Sequence, residues 1–422
     1  MGPHHLIFRT HSSSRYSVAA LLGAVEMDSR LAELQVSAPF QLSDSTIRRT
    51  VDKGPVLLAQ SVMSTQTERV FRESKRIKAR FGDTVTQIGG GPHASARPAD
   101  LLDAGFDYVV VGEGEKLFTD LLWYLMNDRD PREIEGVVSE KSEFYPKPRD
   151  LPKVELDEYP PFALDMNVLG PVEVTRGCPF ACKFCCTPFL TSKGVRHRSV
   201  DSVVGWLNRA VQQRGFRRTW FMSPNALSYG GKGREMNLDK LGYLLRESTS
   251  VEGLEEVFFG AFPSEVRPEF VSKEALDLLR DYVANRTLQI GLQSASDRVL
   301  DIANRCHTVE DGLDAIRLSF DCGFTPHVDM MFGLPGETEK ELRASIEMCE
   351  ELAKMGAMVH GHVFMPLPGS AFENMPPGIL DPESRSALGE LSRRGVLTGS
   401  WSVQETMAAE LASNGEYNAK CS

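Results

Sequence analysis

Cysteine is absent from the first part of the chain: residues 1–150 contain none, although the 422 residues include eight. So few thiols in so long a chain exclude a scaffold built on disulfides. Four of them are scattered, and we expect these to be small core or surface residues: Cys306, Cys322, Cys349 and Cys421. We therefore predict a protein of the reducing cytoplasm.

Long apolar runs are missing as well. No run reaches the roughly 18 residues that a membrane helix needs, and the N-terminal stretch has no small-residue cleavage site, so we predict neither a membrane span nor a signal peptide. The formal net charge is −11. This excess of acidic side chains argues against a nucleic-acid partner. The length fits two or three domains.

Short apolar runs alternate with amphipathic segments along most of the chain, a pattern typical of α/β folds with parallel sheets. Residues 1–130 contain the runs "PVLLAQSV", "TVTQIGGG" and "YVVVGEGE", with helices predicted at Glu68–Arg80 and Lys116–Met126. Residues 131–165 are rich in proline and charge and are predicted to be a linker. Residues 166–375 hold about six βα units, which predicts a partial barrel, and 376–422 form a helical C-terminal segment.

Four cysteines crowd the stretch "TRGCPFACKFCCTPF", and the first three, Cys178, Cys182 and Cys185, have the spacing C-x3-C-x2-C. A structural zinc site usually needs two separated ligand pairs, and no second pair follows. A redox C-x2-C pair would leave Cys178 unused. A disulfide is disfavoured in a reducing compartment. Cys186 lies outside the spacing, and we expect it to be a packed thiol.

An iron–sulfur cluster suits this spacing better. Three thiolates hold three irons of a 4Fe–4S cluster and leave the fourth iron open, as a catalytic metal site requires. The cysteines follow the predicted strand "VEVTRG", and α/β barrels place their chemistry at the carboxyl ends of the strands. Phe184, between the last two of the three cysteines, can offer an apolar face to a planar base.

The segment "CPFACKFC" resembles the signature of the radical S-adenosylmethionine (radical SAM) superfamily. The resemblance implies that Cys178, Cys182 and Cys185 hold the cluster and that SAM chelates the open iron. It further implies that one electron cleaves SAM to a 5′-deoxyadenosyl radical. The implied SAM-binding residues follow the predicted strands: Phe184, Ser223, Pro224, Asn225, Glu265, Arg267, Gln293, Ser294, Arg305, Gly333, Pro335 and Met365.

The stretch "QIGGGPHASARPADLLDAGFDYVVVGEGE" resembles the cobalamin-binding, Rossmann-like domain that precedes many radical SAM domains. The implied cobalamin contacts lie at the carboxyl ends of the strands, where open α/β sheets bind ligands: Tyr16, Ser61, Ser64, Thr65, Gln66, Gly90, Gly91, Pro92, His93, Glu113, Gly114 and Glu115. The motif D-x-H-x-x-G is absent, so we expect cobalamin to bind base-off without a histidine ligand, with His93 hydrogen-bonding a loop.

Taken over both halves, the chain resembles the cobalamin-dependent (class B) radical SAM enzymes, including archaeal proteins of this type. The resemblance implies transfer of a methyl group from methylcobalamin to an unactivated carbon, with a peptide, protein or small-molecule acceptor. A residue of methyl-coenzyme M reductase is one such acceptor. It also implies an electron donor such as ferredoxin or flavodoxin. No catalytic side chain is assigned, because hydrogen-atom abstraction needs no general acid or base.

Three alternatives remain open. A cobalamin-dependent radical SAM enzyme can also catalyse a cyclisation or rearrangement of a small molecule. A methylthiolating tRNA enzyme would need a second set of three cysteines in its first domain, which residues 1–150 lack. A non-catalytic Fe–S electron carrier or sensor would be expected to ligate all four irons and would have no need of the SAM-binding strand ends.

Overall fold

A computed structural model describes residues 2–419, with side chains up to residue 413. The chain forms two compact units. Unit 1 comprises Met1–Pro171 together with Phe189–Ser192, and unit 2 comprises Val172–Pro188 together with Lys193–Ser422. Within residues 2–419, no helix is both long and apolar enough to cross a bilayer.

Unit 1 is a sheet covered by helices. Its strands are β1 (His5–Arg9), β2 (Gln35–Ser37), β3 (Val56–Ser61), β4 (Val85–Gly90), β5 (Tyr108–Val110) and β6 (Val137–Val138). Its helices are α1 (Arg15–Met27), α2 (Asp44–Val51), α3 (Thr67–Phe81), α4 (Pro92–Ala96), α5 (Pro98–Asp103) and α6 (Gly114–Met126).

The strand order of this sheet is β2-β1-β3-β4-β5-β6. All neighbours are parallel except β6, which runs antiparallel to β5. Both faces of the sheet are buried, which explains why β3 reads as one continuous apolar run. The predicted Rossmann-like arrangement is therefore confirmed.

The two faces of the sheet are packed by different helices. Leu6 and Leu57 belong to the core that includes residues of α1 and α6. Ile7 and Leu58, the next residue on each strand, belong to the core that includes Ile47 of α2 and Ile77 of α3. Strand β1 was not among the predicted strands, yet it lies inside the sheet between β2 and β3. Only its three central residues, Leu6, Ile7 and Phe8, are fully buried, so its apolar run is short.

Unit 2 contains nine strands among the described residues: β7 (Val172–Glu173), β8 (Thr175–Arg176), β9 (Arg196–His197), β10 (Arg218–Met222), β11 (Glu256–Phe258), β12 (Thr287–Gln293), β13 (Thr325–Phe332), β14 (Met358–Val363) and β15 (Leu397–Thr398). Its helices are α8 (Val200–Arg214), α9 (Leu238–Thr249), α10 (Lys273–Tyr282), α11 (Asp297–Ile302), α12 (Val309–Asp321), α13 (Glu339–Lys354), α14 (Pro382–Arg393) and α15 (Trp401–Ala419). The short helix α7 (Thr187–Thr191) follows the cysteines at the boundary of the two units.

Two parallel sheets of unit 2, β11-β10-β7 and β12-β13-β14-β15, join into one curved arc. Backbone hydrogen bonds connect them, from Gln289 N to the Gly260 oxygen at 2.8 Å and from Val266 N to the Gln289 oxygen at 2.7 Å. The arc does not close on itself in the described strands. This confirms the predicted partial barrel with helices at its C-terminal end.

The strands of the second sheet have one apolar face and one polar face. Gly312 of α12 packs so closely on Leu292 that an added Cβ would lie 2.4 Å from the leucine side chain. Residues of the Leu292 face therefore point to the helices. The alternate residues, which include Gln289, Asp329 and His360, share the opposite face, because side chains alternate along a strand.

Candidate active site

The cysteine loop follows β8, at the carboxyl ends of the barrel strands. Gly177 opens it with φ +94°, and an added Cβ there would lie 2.1 Å from the Gly194 oxygen. Only glycine fits this close approach without strain. The loop therefore leaves the strand at a fixed angle, with Cys178 as its next residue.

Contacts from distant parts of unit 2 hold the loop. The Asn304 carboxamide donates to the Phe180 oxygen at 2.8 Å and to the Ala181 oxygen at 3.0 Å. Lys183 N donates to the Ala303 oxygen at 3.0 Å, and the Lys183 oxygen accepts from Phe372 N at 2.9 Å. The segment after α11 is thus part of the cluster site. No sequence motif had indicated this role for Asn304.

Two guanidinium groups donate to the sulfur of Cys182. Nη1 of Arg267 lies 3.5 Å from Cys182 Sγ, and Nη1 of Arg305 lies 3.4 Å from it. All three side chains are buried. Positive charge beside a sulfur stabilises the thiolate that metal binding requires.

Burial raises the pKa of the Cys178 thiol, and it raises the pKa of Cys185 to about 12. Burial likewise raises the pKa of Cys186. Thiols in such surroundings remain protonated on their own and lose their protons to a coordinating metal. No three His, Cys, Asp or Glu side chains in the described chain converge on one point as ligands of a single ion would. The ligands of a 4Fe–4S cluster bind different irons, so they need no common centre.

The predicted SAM-binding residues of unit 2 lie in the loops after the strands. After β10, Ser223 Oγ donates to the Asn225 oxygen at 2.8 Å, with Pro224 between them. The Asn225 oxygen Oδ1 accepts from Arg267 N at 3.3 Å. Nδ2 of Asn225 is buried without a hydrogen-bond partner in the described structure. An unsatisfied buried donor at a strand end is a candidate ligand contact.

Glu265 and Arg267 lie in the loop after β11. The side chain of Glu265 is open to solvent within the barrel. Loss of hydration inside the barrel raises the pKa of Glu265, and the negative charge of Asp329 raises it further. The positive charge of Arg305 opposes both effects. A carboxyl group placed among these charges can accept a hydrogen bond from an amino group.

Gln293 ends β12 and has a left-handed backbone, with φ +78°. Gln293 and Ser294 are buried beside Gly291, where an added Cβ would lie 2.7 Å from Gln293 Nε2. Arg305 Nη2 donates to the Gly291 oxygen at 2.6 Å. Nε of Arg305 is buried without a partner in the described residues, so it remains a donor for a bound carboxylate.

Gly333, Pro335 and Gly336 form the turn after β13. Gly333 N donates to Glu337 Oε2 at 2.7 Å, and Arg298 donates to the Gly336 oxygen at 2.6 Å. Burial raises the pKa of Glu337 to about 7. Glu337 thus holds this turn, a role that the sequence analysis did not assign to it.

Phe184 and Met365 are both partly buried. Phe184 packs on the core that includes Phe364 and Phe372. The Arg305 guanidinium lies 5.8 Å from the Phe184 ring centre. Met365 follows β14 by two residues, and its oxygen accepts from Leu367 N at 2.8 Å.

On the polar face of the barrel, a residue of helix α15 sets the tautomer of His362. The Gln404 oxygen Oε1 accepts from Val363 N at 3.0 Å, which orients the carboxamide. Its Nε2 must then donate to His362 Nδ1, 3.2 Å away. The His362 proton is therefore on Nε2, which lies 3.5 Å from Asp329 Oδ1.

The predicted cobalamin-binding residues of unit 1 gather at the carboxyl ends of β3, β4 and β5 and at the start of α1. Gly91 has φ +93°, and an added Cβ would lie 2.7 Å from Ser61 Oγ and 2.9 Å from Val62 N. At Gly90 an added Cβ would find nothing closer than 3.8 Å. Gly91 therefore lets the two strand ends approach closely.

His93 begins α4 together with Pro92. Its Nδ1 lies 3.0 Å from Ser64 Oγ and its Nε2 lies 3.2 Å from Asp100 Oδ2. Both ring nitrogens are thus engaged within unit 1, in agreement with a loop-bonding role. Thr65 is exposed, and the Gln66 carboxamide donates to Ser13 Oγ.

The other predicted contacts of unit 1 flank this group. Tyr16 accepts a hydrogen bond from Arg15 Nη2 at 2.6 Å. Glu113, Gly114 and Glu115 lie at the start of α6, and both carboxylates are buried. Glu113 Oε2 accepts from Val154 N at 3.0 Å and faces a cavity of about 300 Å³ in unit 1.

Two buried polar residues near the same edge, His11 and Gln60, were not among the predicted cobalamin contacts. His11 follows β1, and burial, then the positive charge of Arg69, lowers its pKa to about 4. Arg69 Nη2 lies 3.0 Å from His11 Nδ1, so the guanidinium donates and the neutral ring carries its proton on Nε2. Gln60 is the second-last residue of β3, and its carboxamide is buried without a hydrogen-bond partner in the described structure. Such polar side chains at strand ends suit contacts to a polar cofactor.

The residues present fit the cofactors that both halves imply. Unit 2 offers three neighbouring thiols with positive charge at Cys182 and unsatisfied donors on Asn225 and Arg305. Unit 1 offers a glycine-lined edge with an unsatisfied carboxamide at Gln60.

Comparison with known proteins agrees with these two halves. The sequence profile of the Radical SAM superfamily matches residues 172–349, and that of the B12 binding domain matches residues 6–122. An uncharacterised protein of Methanopyrus kandleri is 26% identical over 359 residues, covering 73% of this chain and 66% of the relative. A probable threonylcarbamoyladenosine tRNA methylthiotransferase of Archaeoglobus fulgidus is 32% identical over 192 residues, covering 44% and 43%. The chain thus spans less than two thirds of each of these two curated relatives.

Two solved structures share the fold. The radical SAM methyltransferase TsrM of Kitasatospora setae, with cobalamin and a [4Fe-4S] cluster bound, matches with a TM-score of 0.67 at 18% identity, covering 89% of this chain and 78% of TsrM. The cobalamin-dependent SAM radical enzyme OxsB matches with a TM-score of 0.63 at 16% identity, covering 83% and 52%. The chain thus carries a B12-binding domain at residues 6–122, followed by a domain of the Radical SAM superfamily at residues 172–349.

Proposed function

We propose that the protein is a C-methyltransferase that transfers a methyl group to an unactivated carbon of its acceptor. The observation that carries this proposal is the cysteine loop of unit 2, with a sulfur held by two buried arginines, in the same chain as a B12-binding domain. The cofactors supply a SAM-derived radical and a methyl group bound to cobalt. TsrM is a radical SAM methyltransferase, and the fold likeness to it supports the same reaction class.

The side chains of unit 2 bind and orient in this proposal. Cys178, Cys182 and Cys185 hold the cluster. The unsatisfied donors of Asn225 and Arg305 receive the polar groups of the methionine part of SAM. Glu265 accepts from its amino group. The turn held by Glu337 contacts the adenine through Gly333.

Unit 1 holds cobalamin without a histidine ligand. Both nitrogens of His93 are engaged by Ser64 and Asp100, and Nδ1 of His11 is engaged by Arg69. A ring whose second nitrogen carries the proton has no lone pair for cobalt. These contacts support base-off binding, with contacts to the cofactor from Ser61, Gln60 and the Gly91 loop.

The acceptor is proposed to be a peptide, a protein or a small molecule. A residue of methyl-coenzyme M reductase is the protein acceptor that we would test first. The electron donor is proposed to be a ferredoxin or flavodoxin, and the compartment the cytoplasm. Relatives of this chain include a probable tRNA methylthiotransferase and a tRNA-2-methylthio-N(6)-dimethylallyladenosine synthase. We do not extend that substrate to this chain, because residues 1–150 carry no cysteine for a second cluster.

The test is an anaerobic reaction of reconstituted protein with SAM, cobalamin, a reductant and candidate acceptors. We expect 5′-deoxyadenosine and an acceptor that gains one methyl group, read by mass spectrometry with methyl-labelled SAM. A product of unchanged mass with a new ring would instead establish a cyclase or rearrangement enzyme. If the cluster-loaded protein cleaves no SAM under any of these conditions, the protein is an electron carrier or sensor instead.

A further inference from the structure

Several contacts together hold the guanidinium of Arg267 in one position beside the cysteine loop. Its guanidinium carbon lies 3.7 Å from the centre of the Phe180 ring, and Phe180 belongs to the cysteine loop. Its Nε donates to Glu269 Oε1 at 2.7 Å, and its Nη2 donates to the Arg305 oxygen. Stacking and a fork of hydrogen bonds leave the planar group a single orientation. In that orientation Nη1 points at Cys182 Sγ.

Arg305 reaches the same sulfur but divides its donors. Its Nη2 is used by the Gly291 oxygen, and its unsatisfied Nε is assigned to SAM in the proposed function. The donors of Arg267 contact Cys182, Glu269 and the Arg305 backbone. A substitution at Arg267 therefore changes the surroundings of the sulfur without removing the donor that is assigned to the SAM carboxylate.

We propose that Arg267 is a positioning residue that sets the reduction potential of the cluster bound through Cys182. This inference rests on the cluster-binding part of the proposed function. The relevant step is the gain of one electron by the oxidised cluster from an external donor, a ferredoxin, a flavodoxin or dithionite. Reduction adds one negative charge to the cluster, and no bond is made or broken.

A fixed positive charge stabilises the more negative, reduced cluster more than the oxidised one. The effect is large here because Arg267 is buried, with 5% of its surface exposed, and screening by water is weak. An N–H···S hydrogen bond acts in the same direction, since it withdraws electron density from the sulfur. Arg267 therefore makes the cluster easier to reduce.

A substitution at Glu269 tests the same inference independently, because it should shift the reduction potential in the opposite direction. Its carboxylate pairs with Arg267 at 2.7 Å and lies 3.6 Å from His307 Nδ1. Part of the Arg267 charge is thus compensated. Removing the Glu269 charge leaves the guanidinium uncompensated and shifts the potential in the positive direction.

The experiment is a potentiometric titration of the reconstituted full chain followed by electron paramagnetic resonance, without cobalamin, SAM or acceptor. The variants are Arg267→Gln, Arg267→Lys and Glu269→Gln. Arg317→Gln is the matched control, because Arg317 is exposed on α12 and pairs with Glu310 and Asp314. Iron content is measured for each protein.

We expect Arg267→Gln to shift the midpoint potential to a more negative value and Arg267→Lys to shift it less, since lysine keeps the charge but not the fork. Glu269→Gln should shift it to a more positive value, and Arg317→Gln should leave it unchanged. An iron-loaded Arg267→Gln protein with the wild-type potential overturns the inference. Should that variant lose its iron, a Glu269→Gln protein with an unchanged or more negative potential overturns it equally.

The two proposals fail in different ways. A wild-type protein that takes up no iron removes the cluster from the proposed function and this inference with it. A protein that shows the expected shifts but methylates no acceptor refutes only the methyl transfer.

Discussion

The carboxamide of Asn304 donates to the oxygen of Phe180, 124 residues earlier in the chain, at 2.8 Å. Asn304 also has a left-handed backbone, with φ +56°. One side chain, two residues after the end of α11, thus fixes the backbone between the first two cluster cysteines. The stability of the cluster site depends on a residue that binds no iron.

Replacing Asn304 should weaken iron retention. Asn304→Ala removes two hydrogen bonds to the loop, worth about 1–3 kcal/mol together, and it puts alanine, which tolerates the left-handed region less well than asparagine, at φ +56°. We expect faster iron loss to a chelator and a lower free energy of unfolding. Asn304→Gly serves as the control, because it loses the hydrogen bonds but tolerates the backbone angle. Iron loss at the wild-type rate in both variants would show that the two hydrogen bonds are dispensable.

Cys182→Ala should abolish the cluster. We expect iron content to fall from about four per chain towards zero, and no 5′-deoxyadenosine to form, while cobalamin remains bound by unit 1. Cys306→Ala is the control, since Cys306 is exposed and outside the spacing of the three cysteines. Continued SAM cleavage by Cys182→Ala would mean that the cluster ligands are wrongly assigned.

Gly91→Ala should lower cobalamin affinity. The added Cβ would meet Ser61 Oγ at 2.7 Å and force the strand ends apart, and φ +93° is strained for alanine. We expect at least a tenfold loss of affinity in an absorbance titration, about 1.4 kcal/mol. Gly82→Ala is the control, because Gly82 also has a positive φ of +56° but precedes β4, and an added Cβ there meets nothing within 4 Å. Equal affinities of the two variants would argue against a corrin site at this loop.

Glu337 should make stability depend on pH. Burial raises its pKa in the folded protein to about 7, above the ordinary value of 4.5. The folded state therefore holds this proton more tightly than the unfolded state, and stability is lost as pH rises from about 4.5 to about 7. Glu337→Gln cannot ionise. We expect urea denaturation to show the wild type losing stability relative to this variant between pH 5 and about 7.5, and a constant difference would contradict the assignment.

Much of the site follows from local sequence because radical SAM chemistry is built at strand ends. The cysteine spacing, the glycine turn at Gly333 and the polar residues after β10 and β12 are each encoded within a few positions. Glycines such as Gly91 mark a close backbone approach for the same reason. Alternation of apolar runs and amphipathic helices was sufficient to predict both α/β units.

Contacts between distant segments could not be predicted in this way. Asn304 carries no motif, and its role appears only when α11 is brought beside the cysteine loop. Gln404 and His362 are 42 residues apart. Strand β1 has only three fully buried residues, and its position inside the sheet follows from pairing with β2 and β3. Tertiary packing decides each of these cases.

The pairing of Gln404 with His362 gives the last helix a role in the geometry of the barrel interior. Because the carboxamide is oriented by Val363 N, it presents N–H to Nδ1 and holds the imidazole with Nε2 towards Asp329. Shortening the chain before α15 would remove that contact, and the ring would be free to turn away from Asp329. The arrangement of the interior is thus set in part by a segment that contributes nothing to the cofactor motifs.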